Sequence, residues 1–352
     1  MTDATSTIEI SDRAKLPVAP LVSVHMLAYR HENFVAQAIE SVVAQQCDFP
    51  FELIIAEDCS PDRTREIVLD YQRRYPHLIR VLVSDTNVGM QANLARCSAA
   101  TRGKFGAACE GDDFWCDPTK LARQIAVFDR YPGCVVVFHP ARTIDENTGH
   151  EGVTGKRSPY SRFVRAEEVV LGDGGFIPSA SIMVKQVLGD GPTPPWVANA
   201  AVPDYAIQMW AACVGRVAYI DRIMSAYRVN VPGSWSSRHA LDLHYRIEHA
   251  RNVERMFDGF LDTCGARYRD AAARMVSKYY SDALVRVAAG RREKQELYKE
   301  AVGKMLGSDR WLAWLAARCG IELPGVKTSI RKTRSLARLA YSLLTTQRIR
   351  DI

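Results

Sequence analysis

The sequence predicts an α/β fold built on a mainly parallel sheet, followed by a helical C-terminal region. Two observations carry that expectation. Over the first 140 residues, five short apolar runs alternate with helical patterns, and after His239 the chain reads almost wholly helical. Residues of unusual chemistry stand directly after several of those runs. Alternation at this spacing implies right-handed βαβ crossovers. In such sheets ligands bind beyond the carboxyl ends of the strands.

The elements follow in order. Leu21–Leu27 is an apolar run, read as a buried strand, and the polar stretch Tyr29–Asn33 follows it. A helix over 34–46 presents Phe34, Ala38, Ile39, Val42 and Val43 as one stripe. Phe51–Ala56 is the second strand. Ser60-Pro61-Asp62 supplies turn and cap chemistry for a helix over 63–75. Ile79–Val83 is the third strand, and Asn87-Val88-Gly89 leads into a helix over 90–101. Lys104–Cys109 is the fourth strand. Asp117 caps a helix with Pro118 at its first position, running to Tyr131. Cys134–Phe138 is the fifth strand. Beyond Gly172 the pattern is mixed, with short strands near 180–184 and 217–220 and a helix near 205–214.

Composition excludes several classes. A chain of 352 residues is long enough for a large domain with an appendage. No apolar stretch reaches the length of a membrane span. Residues 1–20 have no apolar signal core and read as a loose tail. The nine cysteines are scattered without a CxxC pair, which disfavours a disulfide framework or zinc site and suggests a reducing compartment. A net charge of +6 fits anionic ligands without demanding nucleic acid.

Chemistry concentrates after strands two and four. Glu57-Asp58 follows the second strand, and Glu110-Gly111-Asp112-Asp113-Phe114-Trp115 follows the fourth. Three carboxylates within four residues repel one another and call for a cation. Hard oxygen ligands suit Mg²⁺ or Mn²⁺, which also bind substrate phosphates. The bland alternative is a solvated acidic turn that merely caps the next helix. The second acid pair, expected on the same sheet edge, favours the functional reading.

With these residues in view, the chain resembles family 2 inverting glycosyltransferases of the GT-A fold, of the bacterial surface-polysaccharide type. The matching stretches are Val22–Tyr29, Ala38–Val42 with Gln45, Glu57–Asp62, Asn87–Met90 and Glu110–Trp115. The resemblance covers about residues 20–237. It implies a Rossmann-like GT-A domain at 21–237, with a nucleotide-sugar half at 21–140 and an acceptor half at 141–237. Residues 1–20 are then a flexible tail and 238–352 a helical region with a basic amphipathic end.

The resemblance also implies roles. Ala28-Tyr29 would line the nucleotide, and Asp58 with Glu57 would hydrogen-bond its base or ribose. Glu110-Gly111-Asp112 stands where the family carries DxD, with Glu in place of the first Asp. Asp112, with Glu110, would hold the metal, and Asp113 and Trp115 would shape the donor-sugar side. Asp204 is the candidate general base, against the competitors Glu167, Glu168 and Asp190 and against a simple N-cap role. The stretch Tyr227–Ser236 resembles a closing loop. Arg228 in it would either neutralise the diphosphate or pair with a carboxylate. Asn230 replaces the family's usual His, and His239 is a nearby substitute.

The implied activity is an EC 2.4 transfer of a hexosyl or N-acetylhexosaminyl group. The donor would be a nucleotide sugar, UDP being the family's commonest carrier, and the acceptor a glycan or lipid-linked hydroxyl. The alternative is a degenerate GT-A domain serving as a binding or scaffold subunit. A sugar nucleotidyltransferase or a dinucleotide oxidoreductase would need a glycine-rich loop after strand one, and Ala28–Asn33 has no glycine. Residues 327–350 carry seven basic residues and no acid, with Leu336, Leu339, Ala340, Leu343 and Leu344 on one helical face. That pattern suits an anionic membrane surface or a helix docked on the domain's own core. The expected location is the cytoplasm, peripheral to the inner face of the cell membrane.

Overall fold

The computed structural model describes residues 7–186, 188, 192–231, 243–284 and 304. The basic segment 327–350, His239, Asp190 and the stretch 232–236 lie outside the described residues. The strands of the first half are β1 (Ile8–Ile10), β2 (Val22–Ala28), β3 (Phe51–Glu57), β4 (Ile79–Val83), β5 (Phe105–Ala108), β6 (Phe114–Trp115) and β7 (Cys134–Phe138). Those that follow are β8 (Ala141–Asp145), β9 (Glu151–Thr154), β10 (Arg162–Val164), β11 (Met183–Lys185), β12 (Arg216–Tyr219) and β13 (Ser225–Val229). The helices are α1 (Val35–Val43), α2 (Thr64–Arg74), α3 (Met90–Ala99), α4 (Lys120–Arg130), α5 (Ala166–Val170), α6 (Pro195–Ala198) and α7 (Pro203–Val214). Two longer ones close the described chain, α8 (Leu243–Cys264) and α9 (Arg269–Leu284).

The large sheet runs in the order β1-β4-β3-β2-β5-β11-β7-β12-β10. Its β4-β3-β2-β5 segment is parallel, as alternation requires. Beyond it the sheet is mixed. Strand β11 enters antiparallel between β5 and β7, and β1 and β10 are antiparallel edges. A second sheet, β6-β13-β8-β9, was not foreseen. The expected loose tail is corrected over residues 8–10. Glu9 pairs with Arg80 at 2.8 Å and pins β1 to the edge of β4.

Side-chain alternation sorts the layers. Val24, Met26, Leu53, Ile55, Val81 and Val83 face α1, α2 and α4, whose Ile39, Val68 and Leu121 share that core. Ile54, Ala56 and Leu82 face the other way, against Cys97 of α3. A further core joins α5, α6 and α7 to α8 and α9, through Val170, Trp196, Tyr205, Phe257, Phe260 and Met275. The C-terminal helices therefore share a core with α5, α6 and α7.

At the sheet end opposite the site, Glu52 is fully buried and takes Arg80 and Arg102 at 3.1 and 2.5 Å, with Ser23 Oγ donating at 2.6 Å. Burial opposes ionisation, but the Arg102 and Ser23 hydrogen bonds and the Arg80 charge hold the carboxyl below its usual range. A depressed pKa stabilises the fold above the unfolded value, and this contribution is lost as pH falls through the folded one. Glu52→Ala takes from Arg102 its carboxylate and leaves Arg80 with Glu9 alone, and costs about 3 kcal/mol. Urea denaturation at pH 7 measures this, and a cost below about 1 kcal/mol contradicts it.

Candidate active site

Both acid motifs hang from the end of β2. The Asp58 N–H donates to the Ala28 carbonyl at 3.0 Å, and the Gly111 N–H donates to the Leu27 carbonyl at 2.9 Å. Because β3 and β5 flank β2, their following residues emerge side by side. Arg30 and Cys59, in the loops after β2 and β3, have φ of 61° and 55°. Left-handed non-glycine residues of this kind gather at functional sites. The two loops are tied together by Arg30 N–H to Ser60 Oγ, His31 N–H to Thr64 Oγ1 and Glu32 N–H to Asp62.

The acids divide into scaffold and site. Glu57 is fully buried, accepts from Ser60 N–H at 2.6 Å and pairs with Arg65 at 2.5 Å. It braces its loop from behind. Asp58 accepts from the Val88 and Gly89 amides, both at 2.9 Å, and so fixes the entry to α3. Gly89 has φ of 83°, which favours glycine there.

Glu110 and Asp113 carry the strongest perturbations. Burial, then the charge of Asp112, raises the Glu110 carboxyl to about 8, against the Leu27 N–H, which donates to it at 3.3 Å. Burial and Asp112 also push Asp113 well above its ordinary value, and its Oδ2 has no hydrogen-bond partner among the described residues. A raised folded pKa means that ionisation destabilises: stability falls as pH rises from the unfolded value toward about 8. In metal-free protein, Glu110→Gln should flatten that decline between pH 5 and about 8, read as Tm against pH.

Asp204 is at the second position of α7, after Pro203. It is exposed to solvent along part of its side chain. Crowding by protein raises its pKa, the Tyr205 N–H opposes, and the charge of Asp173 adds to the rise. Its competitors fare worse. Glu168 is committed to Arg162 at 2.8 Å and to the cap of α5, and Glu167 is exposed on that helix. The link between the halves is Tyr227 of β13. Its phenol is pushed up to about 12 by burial and then by the charges of Asp113, Asp112, Asp204 and Glu110. The charges of four carboxylates from two halves of the chain thus reach one side chain.

The family model described as Glycosyl transferase family 2 matches residues 23–190. A Mycobacterium tuberculosis protein of uncharacterized role, Rv1520, is 32% identical over 260 residues, 73% of each chain. The chain belongs to glycosyl transferase family 2. EpsE of Bacillus subtilis, named as a glycosyltransferase, is 33% identical over 138 residues, 39% of the transferase and 48% of EpsE. Among solved structures, S. aureus TarS 1–349 in complex with UDP-GlcNAc has a TM-score of 0.61 at 16% identity, covering 85% of the transferase and 87% of TarS 1–349. Mannosyltransferase PcManGT from Pyrobaculum calidifontis, in complex with GDP-Man and Mn2+, has a TM-score of 0.50 at 13% identity, over 93% and 86% of the two chains. These likenesses are of fold, and the transferase has the expected GT-A fold.

Several expectations about the site of the transferase need correction. Trp115 does not face a donor sugar: it is 4% exposed, donates from its indole to the Ala180 carbonyl at 3.1 Å, and stacks on the Lys120 ammonium at 4.1 Å. Arg228 is not free for a diphosphate. Its Nε meets Glu146 at 2.8 Å, and its terminal nitrogens donate to the Asp112 carbonyl at 2.7 Å and to Gln37. Its backbone N–H donates to Asp113 at 2.9 Å, so it clamps the acid loop to β13. Asn230 donates to Asp145 at 2.9 Å, in the β8–β9 sheet. Glu57 likewise supports the loop instead of meeting ligand.

Sequence reasoning missed His31, Tyr227 and Asp173. His31 lies 3.7 Å from the Asp112 carboxylate, and its Nδ1 has no hydrogen-bond partner among the described residues. Its place in the polar stretch after the first strand was the available signal. A Cβ on Gly111 would sit 2.6 Å from His31 Nδ1 and 3.1 Å from the Leu27 carbonyl. Gly111→Ala should therefore displace His31 and cost about 1–3 kcal/mol, read by thermal denaturation.

The acid set fits a divalent cation, on two observations. Arg228 is spent on the scaffold, and the buried Asp113 Oδ2 has no hydrogen-bond partner among the described residues. Among the described residues no three His, Cys, Asp or Glu are grouped to hold an ion. The protein side would then supply one or two oxygens, leaving the rest to water and phosphate. No described helix is long and apolar enough to cross a membrane.

Proposed function

We propose that this glycosyltransferase moves a sugar from a nucleoside-diphosphate donor to an acceptor hydroxyl of a glycan or lipid-linked glycan, with inversion, in bacterial surface-polysaccharide assembly. The observation that carries the proposal is that both acid loops, Glu57-Asp58 and Glu110–Asp113, hang from the end of β2, with the charges of Asp112 and Asp204 both reaching Tyr227. The ligands of TarS and PcManGT, UDP-GlcNAc and GDP-Man, support a nucleotide sugar. The Bacillus subtilis relative TuaG, named for teichuronic acid biosynthesis, supports a surface polymer.

The residues divide the work. Ala28-Tyr29 and Asp58 frame the nucleotide beside the β2 and β3 ends. Asp112, with Glu110 beside it, would hold Mg²⁺ or Mn²⁺, which supplies positive charge to the departing diphosphate. Asp204 takes the proton from the acceptor hydroxyl as that oxygen attacks the anomeric carbon. A carboxylate with a raised pKa is a better base for that purpose than an ordinary one. A single displacement inverts the anomeric configuration.

The test is a thermal-shift screen of UDP-, GDP- and dTDP-sugars with and without Mn²⁺. A donor at 100 times its Kd stabilises by about 2.7 kcal/mol, and the shift should grow with metal. Failure of every nucleotide sugar and free nucleotide to raise Tm in Mn²⁺ overturns the proposal.

A further inference from the structure

The turn Gly172-Asp173-Gly174-Gly175 follows α5 and abuts the start of α7. Three of its four residues are glycine. The fourth, Asp173, has φ 67° and ψ 174°, torsion angles that glycine alone tolerates well. A side chain is therefore kept at this position against the preference of the backbone. Its carboxylate is fully engaged. Oδ1 accepts from Gly174 N–H at 2.8 Å and from Tyr279 OH at 2.5 Å, and Oδ2 meets the Lys278 ammonium. Lys278 and Tyr279 are consecutive residues of α9, and Asp282 one turn on lies 3.5 Å from Lys278. On the other side of the turn, a Cβ at Gly174 would lie 3.3 Å from Val202, 3.7 Å from Tyr205 and 4.0 Å from the Asp204 carboxylate. Tyr205 is itself anchored by its hydroxyl to the Val170 carbonyl of α5 and by its ring to Phe257 of α8.

From this chain of contacts we infer that Asp173 is a positioning residue for Asp204, and that α9 thereby forms part of the acceptor side of the active site. The inference rests on Asp204 being the base. Strain at functional turns persists only where the surroundings over-determine it, and here Lys278 and Tyr279 supply the constraint. The charged and titratable groups that Asp204 feels come from every side: Asp173, Glu110, Tyr227 and Tyr279.

The test compares Asp173→Gly, Lys278→Gln and Lys278→Arg in the full chain. Three readouts are taken: hydrogen exchange at residues 203–206, Tm, and nucleotide release from UDP-GlcNAc and GDP-mannose in Mn²⁺. Glycine relieves the torsion angles, so Asp173→Gly should keep or raise Tm. Yet exchange at 203–206 should accelerate about tenfold, and nucleotide release should fall about tenfold at unchanged KM. Lys278→Gln should behave alike in exchange and release, and Lys278→Arg should stay near wild type. Unchanged exchange at 203–206 in both Asp173→Gly and Lys278→Gln overturns the inference, whether or not either sugar nucleotide turns over. Asp204→Asn separates the two readings. Wild-type turnover in that variant removes the base assignment and leaves the exchange result standing. A dead Asp204→Asn beside an indifferent Asp173→Gly removes the positioning role alone.

Discussion

Asp204→Asn should lower turnover by about 10²–10⁴-fold, the range that a positioned general base supplies. The amide keeps the size of the side chain and can still accept from the Tyr205 N–H, so α7 should fold as before. It has no basicity to offer an acceptor hydroxyl. Donor binding should survive, since the nucleotide side is built from residues 28–113 of the other half. The expected signature is therefore a fall in kcat with little change in the donor-induced Tm shift. Near-native turnover in a folded Asp204→Asn protein removes the assignment, and Glu167 is then the described competitor to test.

Asp112→Asn should have the second large effect, about 10²–10³-fold on kcat, as expected when one group that stabilises developing charge is removed. The backbone there is held independently of the carboxylate: Arg228 grips the Asp112 carbonyl, and the neighbouring Gly111 is bonded to Leu27. The fold should tolerate the change. What should vanish is the added stabilisation that Mn²⁺ gives to a bound nucleotide sugar. Lowering the negative charge also relieves Glu110 and Asp113, whose pKa values should drop toward ordinary carboxylate values. Metal-free Asp112→Asn should thus be more stable than wild type at pH 8, read by thermal denaturation. Equal metal enhancement in both proteins contradicts the role of Asp112.

The parallel segment was legible because its strands are buried on both faces and read as unbroken apolar runs bounded by turns. The expected and observed bounds of β3, β4, β5 and β7 differ by two residues at most. The second sheet was not legible. Ala141–Asp145 mixes Arg, Thr and Asp with two apolar residues, and Phe114–Trp115 is too short to show a period. Those strands form because Ser225–Val229 lies between them, a tertiary contact that no local pattern encodes. For the site, the acids could be found because three carboxylates in four residues are chemically conspicuous. Glu57 and Trp115 were misassigned for a physical reason: adjacency in sequence alternates sides along an extended chain, so a neighbour of a site residue often points into the core. His31 was marked only by its place in the polar stretch after β2, and Tyr227 carries no local mark, since its surroundings arise only when distant loops meet. The turn at Asp173 was different, because a lone acid among glycines can be seen in the sequence.

The shared core of α5–α9 also sets an order of assembly. The first half, α1–α4 on the β4-β3-β2-β5 strands, takes in β11 and has its acid loop clamped by Arg228, so it is complete only once residue 229 has been made. The segment carrying Asp204 buries Trp196, Tyr205 and Met209 in a core that α8 and α9 complete, and these helices end at residue 284. Since domains tend to fold as they emerge from the ribosome, nucleotide binding should mature well before transfer competence. A chain cut near residue 238 should then hold its nucleotide cradle while leaving greasy side chains of the segment that carries Asp204 bare, a species suited to chaperones and not to chemistry.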